Sequence, residues 1–343
     1  MDVLLIDDSV PFDGYTPASQ PLGGIEKNFA SLPGALARAG HDVRAFNRCG
    51  FAITAENVQW LPWNGPHPSE CDVLIAYRKP ALLDQPIAAK RRILWLANPA
   101  GHLASKANRE ILARHADVPL VFAGEAHRAT CPEAFAERAV IVAPGVRSHY
   151  LEAEPMAAAH PPRAVVTTHP LMDLDWLLQL WTGDLRKRVP EAELHIYSAT
   201  LDKGMLGGDV PANIYPVFER VRAAAANGVV VHRPLADPDM ADAYRAARVH
   251  LYPGAASEVY CSTLAESQAV GLPAVSRRLP AAAERIRDSE SGFVVPDDEA
   301  FANCAVLLLQ YDQIFEGRSA DARDQQRGRD WDAVAAEFAA LFS

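Results

Sequence analysis

Short apolar runs, each closed by turn residues, alternate with stretches of helical period along this chain. Residues 3–6 (VLLI) form the first run, ending at Asp7 and Asp8; an unbroken apolar run this short predicts a strand buried on both faces. A Pro- and Gly-rich loop follows, through Pro11, Pro17 and Pro21 to Gly23-Gly24. Ile25, Phe29, Leu32, Leu36 and Ala39 then recur at near-helical spacing as far as Gly40. They predict a helix in which Pro33 marks a kink or a late start. Alternation over residues 41–46 predicts a second strand, completing a βαβ unit.

The pattern recurs. Residues 72–77 (DVLIAY), 91–97 (RRILWLA), 119–124 (PLVFAG) and 139–144 (AVIVAP) are further buried-strand runs. Residues 152–163, rich in Ala and Pro and without periodicity, predict a linker. Beyond it, strands are expected at 164–168, 193–198, 229–235, 249–253 and 273–277. Helices are expected through Leu174, Leu177, Leu178 and Trp181, and over 240–247. Near the end, Trp331, Val334, Phe338 and Leu341 share one face of an amphipathic helix. The fold class is α/β: two Rossmann-like domains, residues 1–155 and 163–325, each with a mostly parallel sheet, facing across a cleft.

Composition narrows the class. At 343 residues the chain suits two domains of ~150 residues each. A net charge of −10 and a pI near 5.6 argue against nucleic acid as a partner. The five cysteines, Cys49, Cys71, Cys131, Cys261 and Cys304, show neither pairing nor metal-ligand spacing, as expected of reduced thiols in a cytoplasmic protein. The start lacks a signal peptide's basic and apolar regions, and no run is long enough to span a membrane. The first 160 residues hold fifteen Lys and Arg against seventeen Asp and Glu, so no general basic face is offered to lipid. The short clusters Arg78-Lys79 and Lys90-Arg91-Arg92 predict solvated surface, with a peripheral membrane contact left open, and Asp7-Asp8 predict a solvated loop.

The segment EVYCSTLAESQAVGLP, residues 258–273, carries the most chemistry. Glu258 and Glu266 are eight positions apart, a spacing that Glu125 and Glu133 repeat with nothing around them to suggest a site. Thr263 and Glu266 have the spacing of a capping box, with Gly271 and Pro273 ending the helix. That leaves Glu258 unexplained. It sits between a strand end and a helix start, where open α/β sheets bind ligands and where helix N–H groups hold anions.

Residues 258–273 resemble the Glu-x7-Glu signature of retaining nucleotide-sugar glycosyltransferases of the GT-B fold, specifically glycosyltransferase family 4 (glycosyl transferases group 1). The resemblance covers nearly the whole chain. Gly23-Gly24-Ile25-Glu26 is similar to the family's glycine-rich first loop, and Ala143-Pro144-Gly145-Val146 to its segment before the linker. Residues 173–178 and 190–194 resemble the first helix and second strand of its C-terminal domain. Residues 331–342 resemble the terminal helix that crosses back to the N-terminal domain, which makes 326–343 a separate segment. The resemblance implies that Glu266 binds the ribose of a nucleoside-diphosphate sugar and that Glu258 lies by the donor sugar as a catalytic group. It also implies that N–H groups around Cys261, Ser262 and Thr263 hold the diphosphate, and that Gly23 and Gly24 let backbone approach the phosphates. For the glycines an ordinary turn into a helix stays open. The implied reaction is metal-independent transfer with retention, without a cofactor beyond the donor, to a carbohydrate, lipid-linked or small-molecule acceptor.

Two departures stand out. Where the family carries two diphosphate-gripping cations after the first strand of its C-terminal domain, this chain has His169 and Met172, followed by Asp173. By position, Lys203, Arg233 and Arg277 are the substitutes. Where the family often has a histidine near the donor sugar, this chain has Ala97 and Asn98; His102 is the nearest histidine, either a catalytic replacement or plain surface. These departures motivate a second reading, a glycosyltransferase-like protein that has lost turnover and binds a sugar, nucleotide or protein partner. A Rossmann dehydrogenase is disfavoured because no GxGxxG follows the first strand. The acceptor is expected at N-terminal loops that include Tyr15 and residues 60–63.

Overall fold

The computed structural model describes residues 1–343, which divide into two compact units, Met1–Arg147 with Gly328–Ser343, and Ser148–Arg327. The first unit holds β1 (Asp2–Ile6), β2 (Asp42–Asn47), β3 (Ile53–Ala55), β4 (Val58–Pro62), β5 (Glu70–Tyr77), β6 (Ala88–Trp95), β7 (Leu120–Phe122) and β8 (Ala139–Ile141). They form one sheet in the order β3-β4-β2-β1-β5-β6-β7-β8, parallel throughout except for the antiparallel β3–β4 pair. The apolar run of β1 follows from burial on both faces. Val3 and Leu5 join a core under helix Gly24–Arg38, while Leu4 and Ile6 join a second core on the other side.

Helix Gly24–Arg38 starts ahead of Pro33 and runs through it without stopping, which rules out the late start. Proline inside a helix costs about 3 kcal/mol through a lost hydrogen bond and a clash. Phe29, Leu32 and Leu36 are fully buried on this helix, and burial of such side chains contributes roughly 1.5–3 kcal/mol each. The same face receives the terminal helix Trp331–Ala339, whose Trp331, Val334 and Phe338 lie in that core, Phe338 edge-on to Trp95 at 5.0 Å. The chain returns to this unit past Gly145, where a Cβ would come within 2.7 Å of the Asp330 carbonyl. Val146 N–H donates to Arg329 O at 2.8 Å there. Only a residue without a side chain allows so close an approach.

The β3–β4 hairpin was not anticipated from the sequence. Its signal was Ile53, Ala55, Val58 and Trp60 alternating about Glu56-Asn57, two residues with φ of 51° and 61°. Both central residues at positive φ is the turn geometry that suits a twisted hairpin. Trp60 is consequently not in a loop. It is 1% exposed and packs edge-on against Phe12 and Phe29.

The second unit holds β9 (Arg163–Val166), β10 (Glu193–Tyr197), β11 (Val229–His232), β12 (Val249–Tyr252), β13 (Ala274–Arg277) and β14 (Gly292–Val295). Their order is β11-β10-β9-β12-β13-β14, and every pairing is parallel. β14, a short run after Ser291, was likewise not anticipated. The chain builds outward from β9 in one direction, then from β12 in the other, so the order reverses between these two strands. The first sheet reverses in the same way between β1 and β5. Ligands of open α/β sheets bind at the carboxyl ends of strands at such reversals.

Candidate active site

The carboxyl end of β12 turns through Pro253 and Gly254 into the loop that carries Glu258. Gly254 has φ +55°, and a Cβ there would stand 2.9 Å from Glu258 Oε2 and 2.7 Å from Leu279. The loop closes on the Glu258 carboxylate: Tyr252 O–H donates to Oε1 at 2.6 Å and Ala255 N–H donates to Oε2 at 2.8 Å. Both oxygens are thereby oriented by donors from the strand end and the turn. Burial holds the Tyr252 phenol well above its usual range, and burial with the Glu258 charge pushes the Cys261 thiol up to about 12. Both groups are neutral, which leaves Tyr252 a donor to Glu258.

Helix Ser262–Ala269 begins next. Its N-cap is Cys261, without a side-chain cap, so the predicted capping box with Thr263 at its head is not formed. Ser262 and Thr263 are the first two helical residues, and the first-turn N–H groups of a helix lie outside its hydrogen-bond ladder. Glu266 is 7% exposed on this helix. It faces a group of buried phenols. Tyr150 and Tyr244 are held far above their usual range by burial first and by the Glu266 charge second. Tyr150 O–H also donates to Asp237 at 2.7 Å.

Under the site lies His250 of β12, fully buried, with Nε2 3.1 Å from Thr167 Oγ1 and Nδ1 2.9 Å from Ser267 Oγ. Burial pushes its pKa down to about 3, so the ring is neutral. The Ser267 hydroxyl donates to Leu264 O at 3.1 Å, so Nδ1–H donates to Ser267 and Nε2 accepts from Thr167. One imidazole therefore ties the end of β9 to β12 and to the helix bearing Glu266. No sequence pattern marks His250 for this part, since a lone polar residue in VHLYP shows its neighbours only after folding.

The other predicted residues are more scattered. His169 is exposed in the turn after β9, its Nδ1 accepting from Leu171 N–H at 3.2 Å. Lys203, on helix Ala199–Met205, and Arg233, after β11, are both exposed. Arg277 ends β13, and its Nη2 donates to the carboxylate of Asp173 and to the carbonyls of Pro253 and Gly254 at 3.0 and 3.4 Å. His102 and the glycine pair lie in the first unit. His102 is exposed, with Nδ1–H donating to Pro99 O at 2.9 Å. His127, which the sequence did not single out, is buried; it accepts from Ala123 N–H and donates from Nε2 to Asn98 O at 2.9 Å, fixing the loop after β6. Gly23 precedes helix Gly24–Arg38 with an extended backbone at φ −67°, and a Cβ would meet the Glu26 carboxylate at 2.5 Å.

Two expectations about surface charge are corrected. Arg78, read as solvated, has an 11% exposed side chain and bridges Glu26 at 2.9 Å and Asp7 at 3.5 Å. Asp7, expected in a solvated loop, is fully buried, accepts from Ser9 O–H at 2.5 Å, and has its carboxyl raised by burial. Lys79 pairs with Asp8 at 2.6 Å. The decoy pair behaves otherwise: Glu125 makes a surface bridge to Arg128. A cavity of about 480 Å³, lined by Asp2, Cys71, Asp72 and Lys90 among others, lies at the amino ends of β1, β5 and β6, the opposite edge of that sheet from Asp7 and Arg78. No group of three or more His, Cys, Asp or Glu side chains is placed to hold a metal ion, and no helix is long and apolar enough to cross a membrane.

Comparison with known proteins bears on this geometry. Residues 164–311, which include Glu258, Glu266 and Arg277, match the family model of glycosyl transferases group 1. A phosphatidyl-myo-inositol mannosyltransferase of Mycobacterium leprae (strain TN) is 32% identical over 130 residues, 36% of this chain and 34% of that protein. The chain thus matches about a third of the length of its curated relatives. Among solved structures, the sucrose-phosphate synthase of Thermosynechococcus elongatus superposes with a TM-score of 0.73 at 15% identity, covering 99% of this chain and 98% of that one. Anabaena Alr3699/HepE, solved in complex with UDP, superposes with a TM-score of 0.70 at 14% identity, covering 99% of each chain. The chain shares the two-domain GT-B fold of these structures, and its residues 164–311 are similar to the glycosyl transferases group 1.

Proposed function

We propose that this protein is a metal-independent glycosyltransferase that moves a sugar from a nucleoside-diphosphate sugar to an acceptor hydroxyl with retention of configuration. The observation that carries the proposal is the pairing of Glu258 and Glu266 about a helix start, at the strand-order reversal of the unit that matches the family. In this reading Glu266 accepts hydrogen bonds from the ribose, and the first-turn N–H groups at Ser262 and Thr263 receive the diphosphate, as the helix dipole favours. Glu258, its two oxygens held by Tyr252 and Ala255, contacts the donor sugar and stabilises positive charge developing at the anomeric carbon as the bond to the diphosphate breaks. The sugar is then taken by the acceptor oxygen on the face the diphosphate leaves, and the acceptor proton passes to the departing phosphate. The mannosyltransferase relative and the UDP-bound Anabaena structure support a nucleotide-linked sugar as donor. The acceptor is carbohydrate, lipid-linked or a small molecule.

Donor hydrolysis measured across a panel of sugar nucleotides tests the proposal. At least one donor should turn over. Glu258→Gln should retain nucleotide binding and lose turnover, while Glu266→Gln should weaken nucleotide binding. A second reading is favoured by the turn after β9, where His169, Met172 and Asp173 replace cations: a binding protein without turnover. Nucleotide binding with no hydrolysis and no transfer from any donor would select it.

A further inference from the structure

We propose that Arg277, from the end of β13, is the cation that receives the donor's diphosphate in this chain, held in waiting by Asp173. The inference rests on the nucleotide-sugar reading above and adds to it the group that compensates for the missing cations. A leaving diphosphate in a metal-independent site needs positive charge, and the turn after β9 offers His169, Met172 and Asp173. Of the three cations suggested by position, Lys203 and Arg233 are exposed side chains away from β12 and β13, on the helix after β10 and after β11. Arg277 touches that loop directly: its Nη2 donates to Pro253 O at 3.0 Å and Gly254 O at 3.4 Å, and a Cβ on Gly254 would meet Glu258 Oε2. β9, β12 and β13 are adjacent in the sheet, so the Arg277–Asp173 pair spans the carboxyl end of β12, beside which Glu258 is held.

The arginine is set for use. Its guanidinium lies over the Trp176 ring at 4.4 Å, which fixes its plane. All its hydrogen bonds run through Nη2, while Nε is buried with no acceptor. A guanidinium has donors on all three nitrogens, so the pair with Asp173 leaves donors of Arg277 unused. Asp173 is also set out of its ordinary role. It stands at the N-cap of helix Leu174–Leu180, where an aspartate usually accepts from the first-turn N–H groups, yet it makes no such bond. Its backbone is left-handed at φ +55° and its carboxylate turns to Arg277 instead. That carboxylate is 52% exposed, so an incoming diphosphate can displace it into water. The ion pair is a resting state that keeps the arginine compensated until the donor arrives.

Calorimetric titration of the full chain with UDP and GDP, on wild type, Arg277→Gln and Asp173→Asn, tests this. Arg277→Gln should weaken binding of the preferred diphosphate about tenfold to a hundredfold, the range of a charged hydrogen bond. Asp173→Asn, which tolerates the left-handed backbone and gives up no helix cap, should tighten it roughly threefold or more by removing a like charge. Opposite signs are the signature of a displaced counter-ion. If both substitutions weaken binding, the pair is a structural pin and the proposal fails; it fails too if Arg277→Gln stays within twofold of wild type. Should Arg277→Gln not fold, the sign of the Asp173→Asn change decides alone. A wild type that binds neither nucleotide overturns the functional reading itself.

Discussion

Two arginines stand at the carboxyl ends of strands, one in each sheet, and live under different conditions. Arg78 follows β5 at the reversal of the first sheet; Arg277 closes β13, one strand from the reversal of the second. Arg78 is spent on the fold. It is 11% exposed, bridges Glu26 and the fully buried Asp7, and lies 5.0 Å from the Tyr77 ring centroid. Arg277 is 26% exposed and meets one half-exposed carboxylate and two carbonyls. Two acids pair with the first cation and position the first turn of the glycine-loop helix, where Tyr77 O–H also donates to Ile25 O at 2.7 Å. The second cation has one half-exposed acid, Asp173; the strand between them, β12, carries His250, neutral between two hydroxyls, and leads into Glu258, held by a phenol and a backbone N–H. A charge compensated by buried groups belongs to stability; one whose partner faces water is free to be redeployed.

The largest effect that would break this contrast is on stability. Arg78→Met leaves Asp7 buried with its cation gone, and the loss should be about 3 kcal/mol in chemical denaturation. Arg277→Gln removes a pair with an exposed partner and should cost less than about 1 kcal/mol. Equal losses would erase the distinction.

Acid should sharpen it next. His250 titrates near 6.5 in the unfolded chain and near 3 in the fold, because burial disfavours its charged form. Between those values the unfolded chain binds a proton the native one does not, so stability falls as pH drops through this window, by up to roughly 1.4 kcal/mol per pH unit from this residue. His127, lowered by burial, adds in the same direction. His250→Gln should flatten the pH dependence of stability between pH 4 and 6.5; an unchanged slope would remove His250 as the neutral support of the second site. A smaller effect concerns Glu258. Tyr252→Phe frees one carboxylate oxygen and should lower turnover about tenfold while nucleotide affinity stays within twofold. Loss of affinity instead would mean that the phenol shapes the nucleotide site.

Much of this was legible in the residues. Unbroken apolar runs such as VLLI are what burial on both faces of a parallel sheet requires, and the strand–helix alternation follows from it. Trp331, Val334 and Phe338 likewise announced the face that the terminal helix buries. The sequence was opaque wherever partners are distant along the chain. Arg78 and Asp7 are about seventy residues apart, and each alone resembles solvated surface. Asp173 and Arg277 are 104 positions apart, so position could nominate Arg277 only beside Lys203 and Arg233. Local rules also misled. Thr263 and Glu266 fit a capping box, but the helix starts two residues earlier, at Ser262, with Cys261 rather than Thr263 at the N-cap and no side-chain cap. Pro33 left open a late start, which the buried helix face overrides.

The central claim is that the second unit holds a nucleoside diphosphate through Glu266 and the start of helix Ser262–Ala269. Titrating the full-length chain with UDP and GDP, alongside Glu266→Gln, tests it most directly. The account predicts saturable binding of one nucleotide with Kd below about 1 mM and at least tenfold weaker binding by the variant. Absence of binding by the wild type at millimolar nucleotide, or equal affinity in the variant, would contradict it.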